Sequence, residues 1–106
     1  MNVNILFHQM DPSPAVKNQI EKKLLHFERN MGEKLKIKWN CSIKDGRQRS
    51  DVHLYYGKKN FHATAASKSL YKTIDDVIAK LKRQVTKNIK RRKNVIHVNH
   101  LLNEGI

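Results

Sequence analysis

The stretch LKIKWNCSIK, residues 35–44, alternates apolar and polar side chains along its whole length. Its apolar members are Leu35, Ile37, Trp39, Cys41 and Ile43, and its polar members are Lys36, Lys38, Asn40, Ser42 and Lys44. Side chains two residues apart share a face of a β-strand, so five matches to this period favour a strand over a helix. The stretch therefore predicts a strand with one buried face and one open, partly basic face.

Three shorter stretches carry the same pattern. They are VNILFH at residues 3–8, VHLYY at 52–56 and FHATA at 61–65. The segments DGRQRSD (45–51) and GKKN (57–60) have the glycine and polar content of turns. These predicted turns place four cations at loop tips, where they could contact a partner: Arg47, Arg49, Lys58 and Lys59.

Residues 14–31 have the spacing of an amphipathic helix. Ser13 is a suitable N-cap, Pro14 suits the first helical position, and Gly32 is a natural stop. The apolar residues recur at intervals of three and four: Val16, Ile20, Leu24, Phe27 and Met31. One face of this predicted helix is therefore expected to pack on a core.

A second helix is predicted from a cap at Ser67 or Ser69 to about residue 92. Its apolar stripe consists of Leu70, Ile74, Val77, Ile78, Leu81 and Val85. The element order β-α-β-β-β-α predicts an α+β fold, a two-layer sandwich in which two helices cover one face of a four-stranded sheet. We expect one domain over residues 1–93, followed by a tail, 94–106, without a clear period.

Positive charge dominates the chain. There are 22 Lys and Arg against nine Asp and Glu, a formal net charge of +13, and the segment AKLKRQVTKNIKRRKN (79–94) holds eight cations and no carboxylate. Such an excess indicates a polyanionic partner, namely RNA, DNA or an acidic membrane surface, and no apolar run is long enough to span a membrane. The predicted RNA-binding residues are Lys72, Lys80, Arg83, Lys87, Lys90 and Arg91 on the second helix, with Lys36 and Lys38 on the open sheet face.

Catalytic motifs are not found. The pair His97-x-x-His100 lacks a third metal ligand nearby in sequence, and Cys41 lies on the apolar face of its strand, as expected of a buried thiol. We therefore expect no enzyme, no metal, no cofactor and no small-molecule substrate. The single cysteine and the lack of an export signal in MNVNILFHQMD predict a cytoplasmic protein.

Two motifs resemble a known family. The segment QMDPSPAV (9–16) is similar to the start of the first helix of short ribosome hibernation-promoting factors, and the segment YKTIDDVIAKLKRQVTK (71–87) is similar to their second helix. This family includes the ribosome-associated inhibitor and the sigma-54 modulation proteins. The likeness extends over residues 1 to about 93. It departs from the family at Ser69 and Lys82, where an acidic residue is common.

The resemblance implies a fold similar to a double-stranded-RNA-binding domain, and binding to ribosomal RNA of the small ribosomal subunit in the channel for mRNA and tRNA. It also implies blocked translation in stationary phase or stress, and paired 100S ribosomes formed with a separate modulation factor. The tail, which is not strongly acidic, is closer to the pairing-promoting branch. The motif positions carry RNA-facing roles to Lys80, Arg83, Lys87 and Lys90, with Arg91 beside them.

Two alternatives stand beside this one. The charge alone is equally compatible with a general binder of double-stranded RNA or DNA. A cytosolic enzyme acting on an acidic substrate would need a cleft with perturbed titratable groups, which the sequence does not supply.

Overall fold

The computed structural model describes residues 1–93, and for residues 89–93 the backbone alone. The elements are β1 (Asn2–His8), α1 (Pro14–Met31), a short 3-10 helix (Gly32–Lys34), β2 (Leu35–Lys44), β3 (Arg47–Tyr56), β4 (Lys59–Ser67) and α2 (Leu70–Lys93). The predicted order and fold class are confirmed. The predicted tail, 94–106, lies outside the described residues. Within residues 1–93, no helix has the length and apolar character needed to cross a membrane.

The four strands form one sheet in sequence order. β1 runs parallel to β2, and β2, β3 and β4 pair antiparallel. In β2, Leu35, Ile37, Trp39 and Cys41 are buried and face the helices, while Lys36 and the other alternate residues are exposed or half-buried. The predicted period of two in β2 is therefore confirmed, and the face opposite the helices is open.

Local signals set the limits of α1. The backbone N–H of Val16 donates to the Ser13 side-chain oxygen at 3.2 Å, and Pro14 opens the helix. Gly32 ends it with φ of 72°, a left-handed value that glycine adopts without steric cost, and its N–H donates to the Glu28 carbonyl. The predicted span of 14–31 is confirmed to the residue.

The predicted turn at residues 45–51 is wrong. The chain reverses at Asp45 and Gly46 alone, both with positive φ (53° and 76°), as a two-residue hairpin turn requires. β3 begins at Arg47, so Arg47 and Arg49 lie in a strand and not at a loop tip. Pairing with β2 and β4 stabilises this polar segment as a strand, against its local turn-like composition.

A buried chain of hydrogen bonds links the sheet to α2. The Trp39 indole N–H donates to Ser50 Oγ at 3.1 Å, and Ser50 Oγ lies 2.9 Å from Thr73 Oγ1. Thr73 Oγ1 in turn donates to the Leu70 carbonyl at 2.6 Å. Every polar atom of this chain therefore has a partner, and it fixes the position of the first turns of α2 over the centre of the sheet.

The side chains of α2 also cover the free edge of β4. Gln84 donates to the His62 carbonyl at 2.7 Å and accepts from the His62 N–H at 3.4 Å. One turn earlier, Lys80 Nζ donates to the Thr64 carbonyl at 2.6 Å. One turn later, Asn88 accepts a hydrogen bond from Lys59 Nζ at 2.7 Å. Three backbone groups of the β4 edge that could otherwise pair with another strand are thus occupied, namely the N–H and C=O of His62 and the C=O of Thr64.

Candidate nucleic-acid interface

The cations at the start of α2 are paired with carboxylates. Lys72 lies 3.5 Å from Asp76 one turn later, and Lys23 of α1 lies 3.3 Å from Asp75. The predicted RNA-binding residue Lys72 therefore has an intramolecular counter-charge. This first part of α2 is close to electrically neutral.

The second half of α2 is different. After Asp76 the helix contains no acidic residue. Arg83 and Lys87 are exposed on its outer surface, and neither forms an ion pair with any carboxylate of the described residues. Their charges are balanced by nothing within residues 1–88, which is the condition for attracting an external anion.

Lys80 has a structural contact as well as a charge. Its ammonium group donates to the Thr64 carbonyl at the β4 edge, yet the residue stays exposed. An ammonium has three donors, so one bond to a carbonyl leaves two for a phosphate oxygen. Lys80 is thus held at the junction of α2 and the sheet edge.

Lys82 lies near His26 of α1 and belongs to a group of cations that the sequence did not predict. Desolvation by burial lowers the pKa of His26 in α1, and the neighbouring charges of Lys82 and Arg29 lower it further. These two cations therefore stand close enough to His26 to repel its proton. The surface between the two helices is positive near the end of α1.

Lys36 and Lys38 project from the open face, on the opposite side of the sheet from the helices. Lys36 is directly across from Tyr55, and Lys38 is directly across from His53. Lys34, Lys36, Tyr55 and Gly57 line a shallow depression of about 250 Å³. The predicted residues are therefore divided between two faces of the molecule.

The two faces meet at one end of the sheet. β2 begins there, the β3–β4 turn lies beside it, and the bond between Lys59 and Asn88 brings the second half of α2 to the same end. We call this region the basic end, formed by Arg29, Lys34, Lys36, Lys58, Lys82, Arg83 and Lys87. Of the two carboxylates near it, Glu28 is paired with the N-terminal ammonium at 3.5 Å and Glu33 is exposed.

Lys90 and Arg91 were predicted from the sequence as RNA-binding residues, whereas Arg29 and Lys34 were not. Lys90 and Arg91 lie within α2, but their side chains are outside the described ones. Arg29 and Lys34 were not predicted, because they come from the end of α1 and the short 3-10 helix, and neither belongs to a cationic run in the sequence. The chain reversal after α1 brings them to the basic end.

Cys41 has the character of a core residue. It is fully buried, and desolvation raises the pKa of its thiol to about 11. The reactive thiolate form is therefore scarce at neutral pH, so Cys41 is unsuited to nucleophilic chemistry.

A row of parallel rings crosses the open face beside Lys38. The rings of His53 and His62 stack with centroids 4.2 Å apart and planes 9° apart. The Tyr55 ring, two residues along β3, has its centroid 6.2 Å from that of His53, with the two planes 13° apart. Asp51 Oδ1 lies 2.5 Å from His62 Nε2.

Comparisons with known proteins agree with this fold. The chain is 27% identical over 88 residues to ribosome hibernation promoting factors of Azotobacter vinelandii and Klebsiella oxytoca, covering 83% of this chain and 82% and 93% of those proteins. A solved ribosomal subunit interface protein from Coxiella burnetii superposes with a TM-score of 0.74 at 27% identity, covering 83% of this chain and 97% of that one. The N-terminal domain of Thermus thermophilus Protein Y has the same fold, with a TM-score of 0.73 at 23% identity over 80% of this chain and 96% of its own.

The profile of one protein family, described as sigma 54 modulation protein / S30EA ribosomal protein, matches residues 3–93, nearly the whole described chain. The resemblance carried by the two sequence motifs is thereby confirmed. The chain belongs to the sigma 54 modulation protein / S30EA ribosomal protein family, whose members are ribosome-associated hibernation and interface proteins and not enzymes.

Proposed function

We propose that this chain binds the small ribosomal subunit in the channel for mRNA and tRNA, through phosphates of ribosomal RNA, and that it keeps ribosomes inactive in the cytoplasm during stationary phase or stress. The family and the names of its relatives support a ribosomal partner. A protein in that channel would prevent mRNA and tRNA from entering, which is how binding alone would stop translation.

The basic end carries the proposal. Arg83 and Lys87 are exposed and lack a carboxylate partner among the described residues, and Lys82 and Arg29 add two cations near His26. Arginine can hold a phosphate through two parallel N–H donors, while lysine acts as a compact charge. Cations displayed on a rigid helix can thus contact several phosphates of a folded RNA with little loss of conformational entropy.

Charge reversal at this surface tests the proposal. Arg83→Glu combined with Lys87→Glu should abolish co-sedimentation with purified small subunits, because two phosphate contacts become repulsive. The matched control is Lys17→Glu combined with Lys44→Glu. Both control residues are exposed cations, and both lie towards the end of the sheet where α1 and α2 begin. The control double variant should bind nearly as well as the unchanged chain.

The unfolding midpoint of each double variant should stay near that of the unchanged chain, since none of the four side chains has an ion-pair partner within residues 1–88. Co-sedimentation that survives the Arg83/Lys87 reversal would place the interface elsewhere. Equal loss in both double variants would indicate a response to net charge alone.

A general binder of double-stranded RNA or DNA is separated from this function by competition. Excess duplex RNA should leave the chain on small subunits if the channel is recognised by its shape, because a random duplex offers only its backbone. Release of the chain from small subunits by duplex RNA, at a phosphate concentration equal to that of the ribosomal RNA, would favour the general binder.

Ribosome pairing is the finer part of the proposal. We expect the chain, together with a separate modulation factor, to stabilise 100S dimers, as the hibernation-promoting names of its relatives suggest. Sucrose-gradient profiles of stationary-phase extracts, with and without the gene, should show the chain in the 100S and 70S peaks. A profile with the chain only in the 70S or 30S peak, and an unchanged 100S peak on deletion, would restrict it to inhibition.

A further inference from the structure

Three potential metal ligands converge on the open face of the β3–β4 hairpin. One ligand atom each from Asp51, His53 and His62 can be chosen so that all three lie within 4.8 Å of one another. His53 and His62 are directly opposite each other on β3 and β4. Their backbone groups do not bond to each other, because the outward N–H and C=O of His62 are taken by Gln84. Directly opposed residues of this kind bring their side chains closest together in an antiparallel sheet.

We propose that Asp51, His53 and His62 form a binding site for a divalent transition-metal ion, with Zn²⁺ as the preferred ion. Two imidazoles and one carboxylate are a ligand set that suits zinc, and three protein ligands leave one position open to water or a partner oxygen. Hard cations such as Mg²⁺ prefer a set made of oxygen atoms, so they should bind here poorly.

The hydrogen bond between His62 and Asp51 shows how the ion would enter. The ion takes the place of the proton between His62 Nε2 and Asp51 Oδ1, which are 2.5 Å apart. Zinc–ligand bonds of about 2.0–2.2 Å then require these two atoms to separate slightly, and His53 to move inward by roughly 1–1.5 Å. The two imidazole planes, now 9° apart, must also tilt towards each other, since each ring binds a metal through an in-plane lone pair.

Nothing in the packing opposes these movements. His62 is exposed, and His53 and Asp51 are half-buried on a face that no described element covers. The nearest ring on the same strand, that of Tyr55, has its centroid 6.2 Å from that of His53, which leaves the His53 ring room to turn. The site therefore needs rotation of three surface side chains and no change of the backbone.

The surrounding charge limits the affinity. Among the residues of the four strands, all of which the structure describes, Asp51 is the only carboxylate, while Lys38 lies directly opposite His53 and Arg49 lies two residues before Asp51. These cations repel a bare dication, and the repulsion weakens as salt increases. Zinc affinity should accordingly hold or rise with added salt, whereas binding to RNA phosphates should fall.

Titration of the purified full chain, without a polyhistidine tag, tests the site. ZnCl2 is titrated by calorimetry, and CoCl2 is used as a spectroscopic substitute whose visible absorption reports the coordination. One ion should bind per chain, without the thiolate-to-metal absorption that Cys41 would give. His62→Ala and His53→Ala should each weaken zinc binding by about tenfold or more, and Asp51→Asn, which preserves the side-chain shape, should weaken it less.

His8→Ala is the matched control, because His8 is also an exposed histidine on the open face but bonds to Asn40 at 2.9 Å. It should leave zinc binding unchanged, as should the double change His97→Ala with His100→Ala. Loss of binding in that double variant, or zinc affinity that is unaffected by His62→Ala and His53→Ala, would overturn the proposal. Far-ultraviolet circular dichroism of each variant confirms that the fold is retained, so a loss of binding can be assigned to the ligands.

Discussion

Two threonines of α2 show how much a single buried hydroxyl depends on its surroundings. Thr73 Oγ1 is bonded both to Ser50 Oγ and to the Leu70 carbonyl, whereas Thr86 Oγ1 is buried with no partner among the described residues. Thr73→Val should lower the free energy of unfolding by about 1–3 kcal/mol, because the buried Ser50 hydroxyl, which accepts from Trp39, would lose its own acceptor. Urea unfolding followed by circular dichroism measures this loss.

The same chemical change at Thr86 should act in the opposite direction. Thr86→Val removes a polar atom that is already unsatisfied, so the free energy of unfolding should stay the same or rise by up to about 1 kcal/mol. The two variants have identical changes in volume and helix propensity, and each is therefore the control for the other. A loss of equal size at both positions would mean that the chain of hydrogen bonds contributes little.

His26 offers a second test at the scale of one residue. Burial and the charges of Lys82 and Arg29 lower its pKa below the ordinary 6.5. Lys82→Met removes one of the two charges and keeps a side chain of similar length, so the pKa of His26 should rise towards 6.5, as measured by an NMR titration of the imidazole. Lys87→Met, which removes a charge not among the causes of the shift, should leave that pKa unchanged.

The lowered pKa of His26 also determines the direction in which stability changes with pH. The unfolded chain takes up a proton on His26 at about pH 6.5, while the folded chain resists it. Unfolding therefore becomes easier as the pH falls below about 6.5, until the folded form is protonated too. A phosphate bound between the helices should reverse this and raise the pKa of His26, which makes the residue a reporter of RNA binding.

At the scale of elements, we expect the contact of α2 with the β4 edge to stabilise the fold and also to prevent association between chains. Gln84→Ala removes both hydrogen bonds to His62 and should lower the free energy of unfolding by about 1 kcal/mol. It also exposes edge groups that can pair with another strand. Analytical ultracentrifugation should detect concentration-dependent association in Gln84→Ala and none in Arg83→Ala, an exposed neighbour without a contact to β4. An unchanged sedimentation coefficient at high concentration would show that the edge needs no such cover.

Local chemistry decided which elements could be predicted. The bounds of α1 were predicted to the residue because Ser13, Pro14 and Gly32 act within one turn of the helix. β3 was predicted from residue 52 but begins at Arg47, because the strand state of residues 47–51 is stabilised by partners in β2 and β4 that are remote in sequence. Asp-Gly is a common sequence for a two-residue hairpin turn, so a predicted turn limited to Asp45 and Gly46 would have extended the predicted strand towards Arg47.

The residues of the candidate sites also fall into two groups, those that a local pattern predicts and those that depend on contacts between elements remote in sequence. Arg83 and Lys87 were predicted as outward-facing because helical periodicity fixes their direction once the apolar stripe is known. The contact of Lys80 with β4 and the approach of Lys82 to His26 depend on how α2 packs on the sheet and on α1, which no local pattern specifies. Asp51, His53 and His62 come together only through the β3–β4 register, so they are not recognised by looking for metal ligands that are close in sequence.

At the scale of the whole molecule, the charge is distributed unevenly along the sheet. The start of α2 has Asp75 and Asp76 paired with lysines, and the basic end has Arg83 and Lys87 with no such pairing among the described residues. The open face contributes Lys34 and Lys36 to that same end. The basic end can therefore approach an RNA from both sides of the sheet.

This arrangement predicts how affinity for small subunits depends on salt. Each phosphate neutralised by a cation releases counterions, so the logarithm of the association constant should fall with the logarithm of the salt concentration, by roughly 0.7 to 0.9 per contact. Arg83→Ala and Lys36→Ala should each reduce the steepness of this fall by about that amount, whereas Lys44→Ala should leave it unchanged. A reduced slope for Arg83→Ala alone would restrict the interface to the helix side, and identical slopes in all variants would mean that neither side of the basic end contacts phosphate. A reduced slope for both Arg83→Ala and Lys36→Ala requires RNA on both sides, because these residues are on opposite faces of the sheet and one duplex backbone lying along α2 would not contact both.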